Sequence, residues 1–210
     1  RRHSGPNVRR TCELVWNGVL GPVRRAECWT NRPTWPQGMS GPEERRPAPE
    51  SLDWNLWLGP ARKRPYSPAY HPGGWKGWQD FGTGALGAMG CHVMDAAFWP
   101  LKLGDAPSFT VEADSTGINE QTYPRASTVR YRFPARGDMP PVTLTWHDGG
   151  RKPEPPEGWP ESREDVGSNG TFLFGEDRTI VVGQTIGGTW AGQAGPRLVP
   201  EDEMHEMEWP

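Results

Sequence analysis

Glycine and proline are scattered along the whole chain, 27 of one and 24 of the other in 210 residues. Roughly one position in four therefore weakens a helix or removes a backbone donor, and no periodic stretch runs far without interruption. Coiled coils, helical bundles and helical repeats are excluded, because each needs long unbroken periodic segments. Such a composition would also suit a disordered tail, but 12 Trp and 34% hydrophobic residues argue for a packed domain. A chain of this length makes one domain, or one plus a fragment of another, with a core of ordinary size.

The balance of 23 basic and 26 acidic side chains, net −3, creates no general attraction to nucleic acid or anionic lipid. No run of apolar residues is long enough to predict a membrane span. Cys12, Cys28 and Cys91 are far apart and show no Cys-x-x-Cys spacing, so neither a metal site nor a disulfide framework is expected. A cytoplasmic and a periplasmic location remain equally compatible with this cysteine usage. The sequence opens on Arg1 without an apolar leader, and residues 201–210 carry no helix stop or closing strand. Both ends are expected to be truncated or frayed, as in a fragment of a longer protein.

Residues 6–17 have Pro6 at the start, Val8, Cys12 and Val15 at helical spacing and Asn17-Gly18 as a stop, which predicts a short amphipathic helix. Val23 to Thr30 alternates with period two and predicts a strand with one buried face. Residues 31–80 are irregular, rich in Pro and Trp, and are expected to form a packed functional loop with one or two helical turns between Ser51, as N-cap, and Gly59. Small and apolar residues from Gly84 to Leu103 predict a buried helix whose glycines bring the backbone against a neighbour or a ligand. Strands are predicted at 109–114, 127–133, 142–146, 171–174 and 179–182, with an exposed Pro-rich excursion at 148–168. The fold class is α+β: an open mixed, mostly antiparallel sheet with helices on one face and a long Trp/Pro-rich loop.

His92 is the strongest candidate for chemistry. On a helix it shares a face with Asp95, and an imidazole oriented by a carboxylate makes a general acid or base at neutral pH. The competing possibility is a core histidine held by packing. Cys91 points about 100° away from its neighbour, so it makes no nucleophile–base pair and is expected to be buried. The run Gly82-Thr83-Gly84-Ala85-Leu86-Gly87 approaches a phosphate-binding fingerprint but follows Trp75 to Asp80 rather than a hydrophobic strand. His71, Trp75, Lys76, Trp78 and Asp80 could form a sugar-binding wall of indole faces and polar tips, or fill irregular loop space. His147-Asp148 is read as a turn.

The run from Gly82 to His92, followed by Asp95 and Trp99, preceded by Trp75-Lys76-Gly77-Trp78 and followed by Tyr123-Pro124-Arg125-Ala126-Ser127, resembles the Gfo/Idh/MocA family of nicotinamide-dependent sugar and inositol oxidoreductases. The resemblance implies a substrate-binding half at 22–200, a crossover helix within 1–21, a tail at 201–210, and no Rossmann domain within the sequence. It places His92 on the family's catalytic histidine, while Ala88 stands where the family's motif carries Asp. The candidate substrate contacts in the sequence are His71, Trp75, Lys76, Trp78, Asp80, Thr83 and Asp95; the resemblance further implies a sugar or polyol ligand, NAD or NADP as the family cofactor with none bound by this chain alone, and self-association through an exposed sheet face. The expected function is the substrate half of a hydride-transferring oxidoreductase, inactive in isolation. The alternative is a non-catalytic carbohydrate-binding or oligomerisation module derived from that fold.

Overall fold

The computed structural model describes residues 3, 5–160, 166–183 and 195–200; the tail expected at 201–210 lies outside the described residues. Proline at the first turn starts α1 (Pro6–Trp16), Asn17 closes it, and Leu14 and Val15 are buried. After the turn through Gly21 the chain extends into β1 (Val23–Thr30). Trp54–Leu58 forms α2, capped by Asp53, whose carboxylate accepts from the Leu56 amide at 2.9 Å. The cap is thus Asp53 and not Ser51, while Gly59 ends the helix as its sequence predicts.

The single helix expected from Gly84 to Leu103 is divided into α3 (Gly84–Val93), α4 (Asp95–Phe98) and a 3₁₀ turn at Leu103–Asp105. The strands that follow are β2 (Thr110–Ser115), β3 (Ser127–Phe133), β4 (Val142–His147), β5 (Asn169–Gly175), β6 (Thr179–Val182) and β7 (Arg197–Val199). They form one seven-stranded sheet in the order β2-β3-β4-β1-β5-β6-β7. Only the β1–β4 pair is parallel; the other five pairs are antiparallel. The sheet is open and mixed, as expected.

All the longer helices lie on one face. Leu14 and Val15 of α1, Met89 and Val93 of α3 and Ala96 and Ala97 of α4 join Ala26, Cys28, Leu144, Trp146, Leu173 and Ile180 of the sheet in the main core. The strand β1 departs from the one-sided pattern: Cys28, Trp29 and Thr30 are all buried. Trp29 points to the opposite face, where it packs with Phe172, Val181, Val199 and Val166, and Trp159 leans edge-on against Phe172 at 5.3 Å. The Pro-rich excursion is therefore not simply exposed, since Val166 and Trp159 fold back as a lid on this second core. Toward β2 and β3 the same face stays open and polar, with Arg132 bonded to Glu112 at 2.9 Å and Arg151 paired with Asp114. Among the described residues no helix is long and apolar enough to cross a membrane.

Candidate functional site

The helix α3 is fixed at both ends. At its C-terminal end the Thr171 hydroxyl of β5 donates to the Val93 carbonyl at 2.8 Å, tying the turn that carries His92 to the centre of the sheet. His92 itself is half-buried. At the N-terminal end Gly84 has φ +65°, and a Cβ there would lie 2.7 Å from the Tyr123 ring. A Cβ on Gly82 would meet the Lys76 carbonyl oxygen at 2.3 Å, and one on Gly87 the Thr83 hydroxyl at 2.4 Å. The close neighbour that these glycines require is thus the protein itself.

Asp95 opens α4, and its carboxylate is engaged by His3, with Nδ1 3.0 and 3.3 Å from the two oxygens. The His3 ring stacks on Trp99 with centroids 4.0 Å apart. Asp95 thus has an imidazole partner from the start of the chain, and a partner 92 residues away leaves no local signal in the sequence. Cys91, expected to be buried, is exposed. His147 is the last residue of β4 and Asp148 leads into the turn at Gly149-Gly150; Asp148 is buried and accepts from Ser127 N at 2.6 Å, Ser127 Oγ at 2.9 Å and Trp146 Nε1 at 2.9 Å. Burial pushes its carboxyl up, against the pull of those donors. His147 is bonded to Glu27 at 2.8 Å across β4 and β1.

A buried hydroxyl and several backbone bonds anchor the loop 31–80, Gly38 N to the Tyr123 carbonyl and Gln79 N to the Gln121 carbonyl among them, both at 2.9 Å. Thr122 Oγ1 donates to the Met39 carbonyl at 2.8 Å and accepts from the Gly38 and Met39 amides, both at 3.0 Å. Within the loop Trp54 stacks on Trp57 at 4.8 Å, Trp57 meets Phe81 at 5.0 Å and His71 at 5.8 Å, and Tyr70 meets Trp78 at 4.7 Å. Trp78 is fully buried and its indole donates to the Ala69 carbonyl at 3.0 Å, which corrects its assignment to a ligand wall: it is the floor of the cluster. His71 is half-buried, edge-on to the ring of Trp57.

Trp75 and Asp80 do come together, lining a cleft of about 450 Å³ with Trp57, Pro60, Ala61 and Phe81. Asp80 is paired with Arg64. Lys76 places its ammonium 4.8 Å from the Trp75 ring centroid and 5.8 Å from that of Trp35. Thr83 is exposed just before α3, and its hydroxyl does not cap the helix. Between Gly84 and His92 runs about 12 Å of helix axis. The expected substrate residues therefore divide into an aromatic group before α3 and a histidine end after it. Trp57, Phe81 and Arg64 were not singled out by sequence, although the i, i+3 spacing of Trp54 and Trp57 and the basic run 62–64 were visible in it.

Residues 4–137 match the profile described as oxidoreductase family, C-terminal alpha/beta domain, of the Gfo/Idh/MocA group. The chain belongs to this family. No curated protein matches the sequence. Among solved structures that the chain is similar to, an oxidoreductase from Thermotoga maritima shares 13% identity, with 86% of this chain and 40% of that one covered at a TM-score of 0.45. A super-repressor mutant of Gal80p from Saccharomyces cerevisiae shares 14%, with 86% and 38% covered and a TM-score of 0.47. The WlbA dehydrogenase from Bordetella pertussis, solved with NADH and UDP-GlcNAcA, shares 12%, with 85% and 40% covered and a TM-score of 0.44. The chain spans about two fifths of the length of these structures. In the family's terms it is the C-terminal alpha/beta domain, and His92 stands on the helix that follows the glycine-rich run.

Proposed function

We propose that this chain is the substrate-binding half of an NAD(P)-dependent oxidoreductase acting on a sugar or polyol, with His92 as its acid/base. The observation that carries the reading is the family match over residues 4–137, which includes α3 and His92. Oxidising a secondary alcohol removes a proton from the hydroxyl and a hydride from the carbon. A neutral His92 takes the proton, held in place because Thr171 pins the next residue's carbonyl to the sheet. A bound nicotinamide would supply the hydride acceptor, and no residue described in this chain is assigned to holding it.

Ala88 lies one helical turn before His92, on the same face, where the family motif has Asp. A carboxylate there would orient the imidazole, so Ala88→Asp is expected to raise kcat/KM. The test joins the chain to a family nucleotide-binding domain and follows NAD(P) reduction over a panel of sugars and polyols. Turnover is expected, and His92→Ala should lower kcat by about 100-fold or more. No turnover with either Ala or Asp at position 88 would contradict the enzyme reading. That outcome would favour the second reading, which Ala88 itself supports: a non-catalytic carbohydrate-binding or oligomerisation module. Self-association belongs to both readings, and its site is the open part of the sheet face at β2, β3 and β4.

A further inference from the structure

The strand β2 ends the sheet on one side and is joined to β3 alone. Which of its backbone groups stay free follows from one bond: the Thr116 amide donates to the Ala126 carbonyl at 3.0 Å, just beyond the Ser115–Ser127 pair. Bonded pairs alternate along an antiparallel ladder, so Thr110, Glu112 and Asp114 bond toward β3, while the amides and carbonyls of Phe109, Val111 and Ala113 point outward. Among the described residues no further strand takes them up. Edges that stay single are commonly blunted by Lys, Pro or a bulge. β2 reads Thr-Val-Glu-Ala-Asp-Ser, without Lys or Pro, and its register against β3 is unbroken. Its two carboxylates are already engaged within the chain, Glu112 by Arg132 at 2.9 Å and Asp114 by Arg151.

The same edge is apolar on one side. Val111 and Ala113 stand opposite Tyr131 and Val129, on the face that carries the main core, and the Phe109 ring lies 5.1 Å from that of Phe133. Yet Phe109 and Val111 are 53% and 54% exposed, and Ala113 is exposed as well. The apolar stripe thus runs on past the helices to the free amides, a combination that fits an added strand.

We propose that β2 pairs antiparallel with β2 of a second copy, about a two-fold axis at Val111, so that the two sheets continue as one. The strand's own residues select this occupant and this register. Outward backbone groups meet only when an axis passes through a residue, which also keeps both apolar stripes on one side. An axis at Glu112 would oppose Glu112 to its own copy, and one at Ala113 would oppose Glu112 to Asp114, both like-charged. An axis at Thr110 would set Pro107, which has no N–H, against Ala113. The axis at Val111 avoids all three. It places Thr110 opposite Glu112 and Ser108 opposite Asp114, a hydroxyl donor for each carboxylate, and it seats the large Phe109 opposite the small Ala113. Such an isologous contact closes on itself. It uses the edge and the helix-side stripe, so it is separate from association through the open polar face and from the role of His92.

The test measures the mass of the full chain by sedimentation over a concentration series in high salt, which screens ion-paired association and leaves backbone bonds and apolar contact in place. A concentration-dependent dimer is expected. Val111→Lys and Val111→Glu each put like charges on the axis and should each weaken the dimer about 100-fold or more. An equimolar mixture of the two variants should restore it as a mixed dimer, a rescue that loss of folding would not allow. In a Cys91→Ser background under mild oxidant, Val111→Cys should form its intermolecular disulfide faster than Glu112→Cys or Ala113→Cys, because only at the axis do equivalent Cα atoms come within disulfide range. The proposal is overturned by a wild-type chain that stays monomeric throughout the series, by undiminished dimerisation of either charged variant alone, or by a mixture of folded variants that stays monomeric. Faster cross-linking at position 112 or 113 overturns it as well, and that scan decides the matter should the charged variants not fold.

Discussion

Burial pushes the thiols of Cys28 and Cys12 up to about 12 each. For Cys28 desolvation is the cause, only partly offset by its hydrogen bond with the Thr171 hydroxyl. For Cys12 desolvation again leads, and the nearby Asp95 and Glu13 carboxylates add to it. Both folded values lie above the ordinary 9.0 of an unfolded thiol. The stability gained by keeping them protonated is therefore complete below that value and is lost as pH climbs from 9 toward 12. Denaturation midpoints should fall over that alkaline window, and less steeply in Cys28→Ala. At neutral pH a thiol reagent should modify the exposed Cys91 quickly, and Cys12 and Cys28 only after denaturation. A second contrast at this scale lies within one helix. Gly84→Ala puts a side chain at φ +65° and against the Tyr123 ring, and is expected to destabilise by about 2 kcal/mol. A Cβ on Gly90 meets only Met94 Sδ at 3.5 Å and Leu86 Cδ1 at 3.8 Å, so Gly90→Ala should stabilise by about 1 kcal/mol. Thermal melts of the two variants should move in opposite directions.

The elements that were legible in the sequence are those whose own residues carry the period. Pro6 and Asn17 bracket α1, and the alternation of Thr128, Val129, Arg130 and Tyr131 across β3 reads directly as a strand. The strand β7 has only three residues and shows no period, so it went unseen. The second core was hidden for a different reason: Trp29 is covered by Val166, more than a hundred residues later, and no local pattern marks a side chain as buried by so distant a partner. For the same reason the sequence placed His92 and Trp75 in candidate sites but not the division between them, nor the His3–Asp95 contact. The loop 31–80 was legible as packed, while its anchor was not, because Thr122 looks like any surface threonine until Gly38 and Met39 fold onto it. Thr122→Val keeps the shape and removes the hydroxyl that serves the Met39 carbonyl and amide, while the Gly38 amide keeps its bond to the Tyr123 carbonyl at 2.9 Å. It is expected to cost about 2 kcal/mol and to speed amide exchange at Met39 more than at Gly38, before any change in the sheet.

Across the whole molecule the sheet divides the work. One face carries every longer helix and the main core, and the opposite face is closed by Trp159 and Val166 at β1, β5 and β6 but open at β2 and β3. Because that open part carries the Arg132–Glu112 and Arg151–Asp114 ion pairs, the self-association proposed there should weaken with salt, which sedimentation velocity at two ionic strengths reads directly. The central claim is that this family domain supplies the acid/base of a dehydrogenase from His92. The most direct measurement is the pH dependence of kcat/KM for the chain joined to a nucleotide-binding domain, compared with its His92→Gln variant. An acid limb in the range where imidazoles titrate, present with histidine and absent with glutamine, is the predicted result. The same limb surviving in His92→Gln at undiminished rate would contradict it.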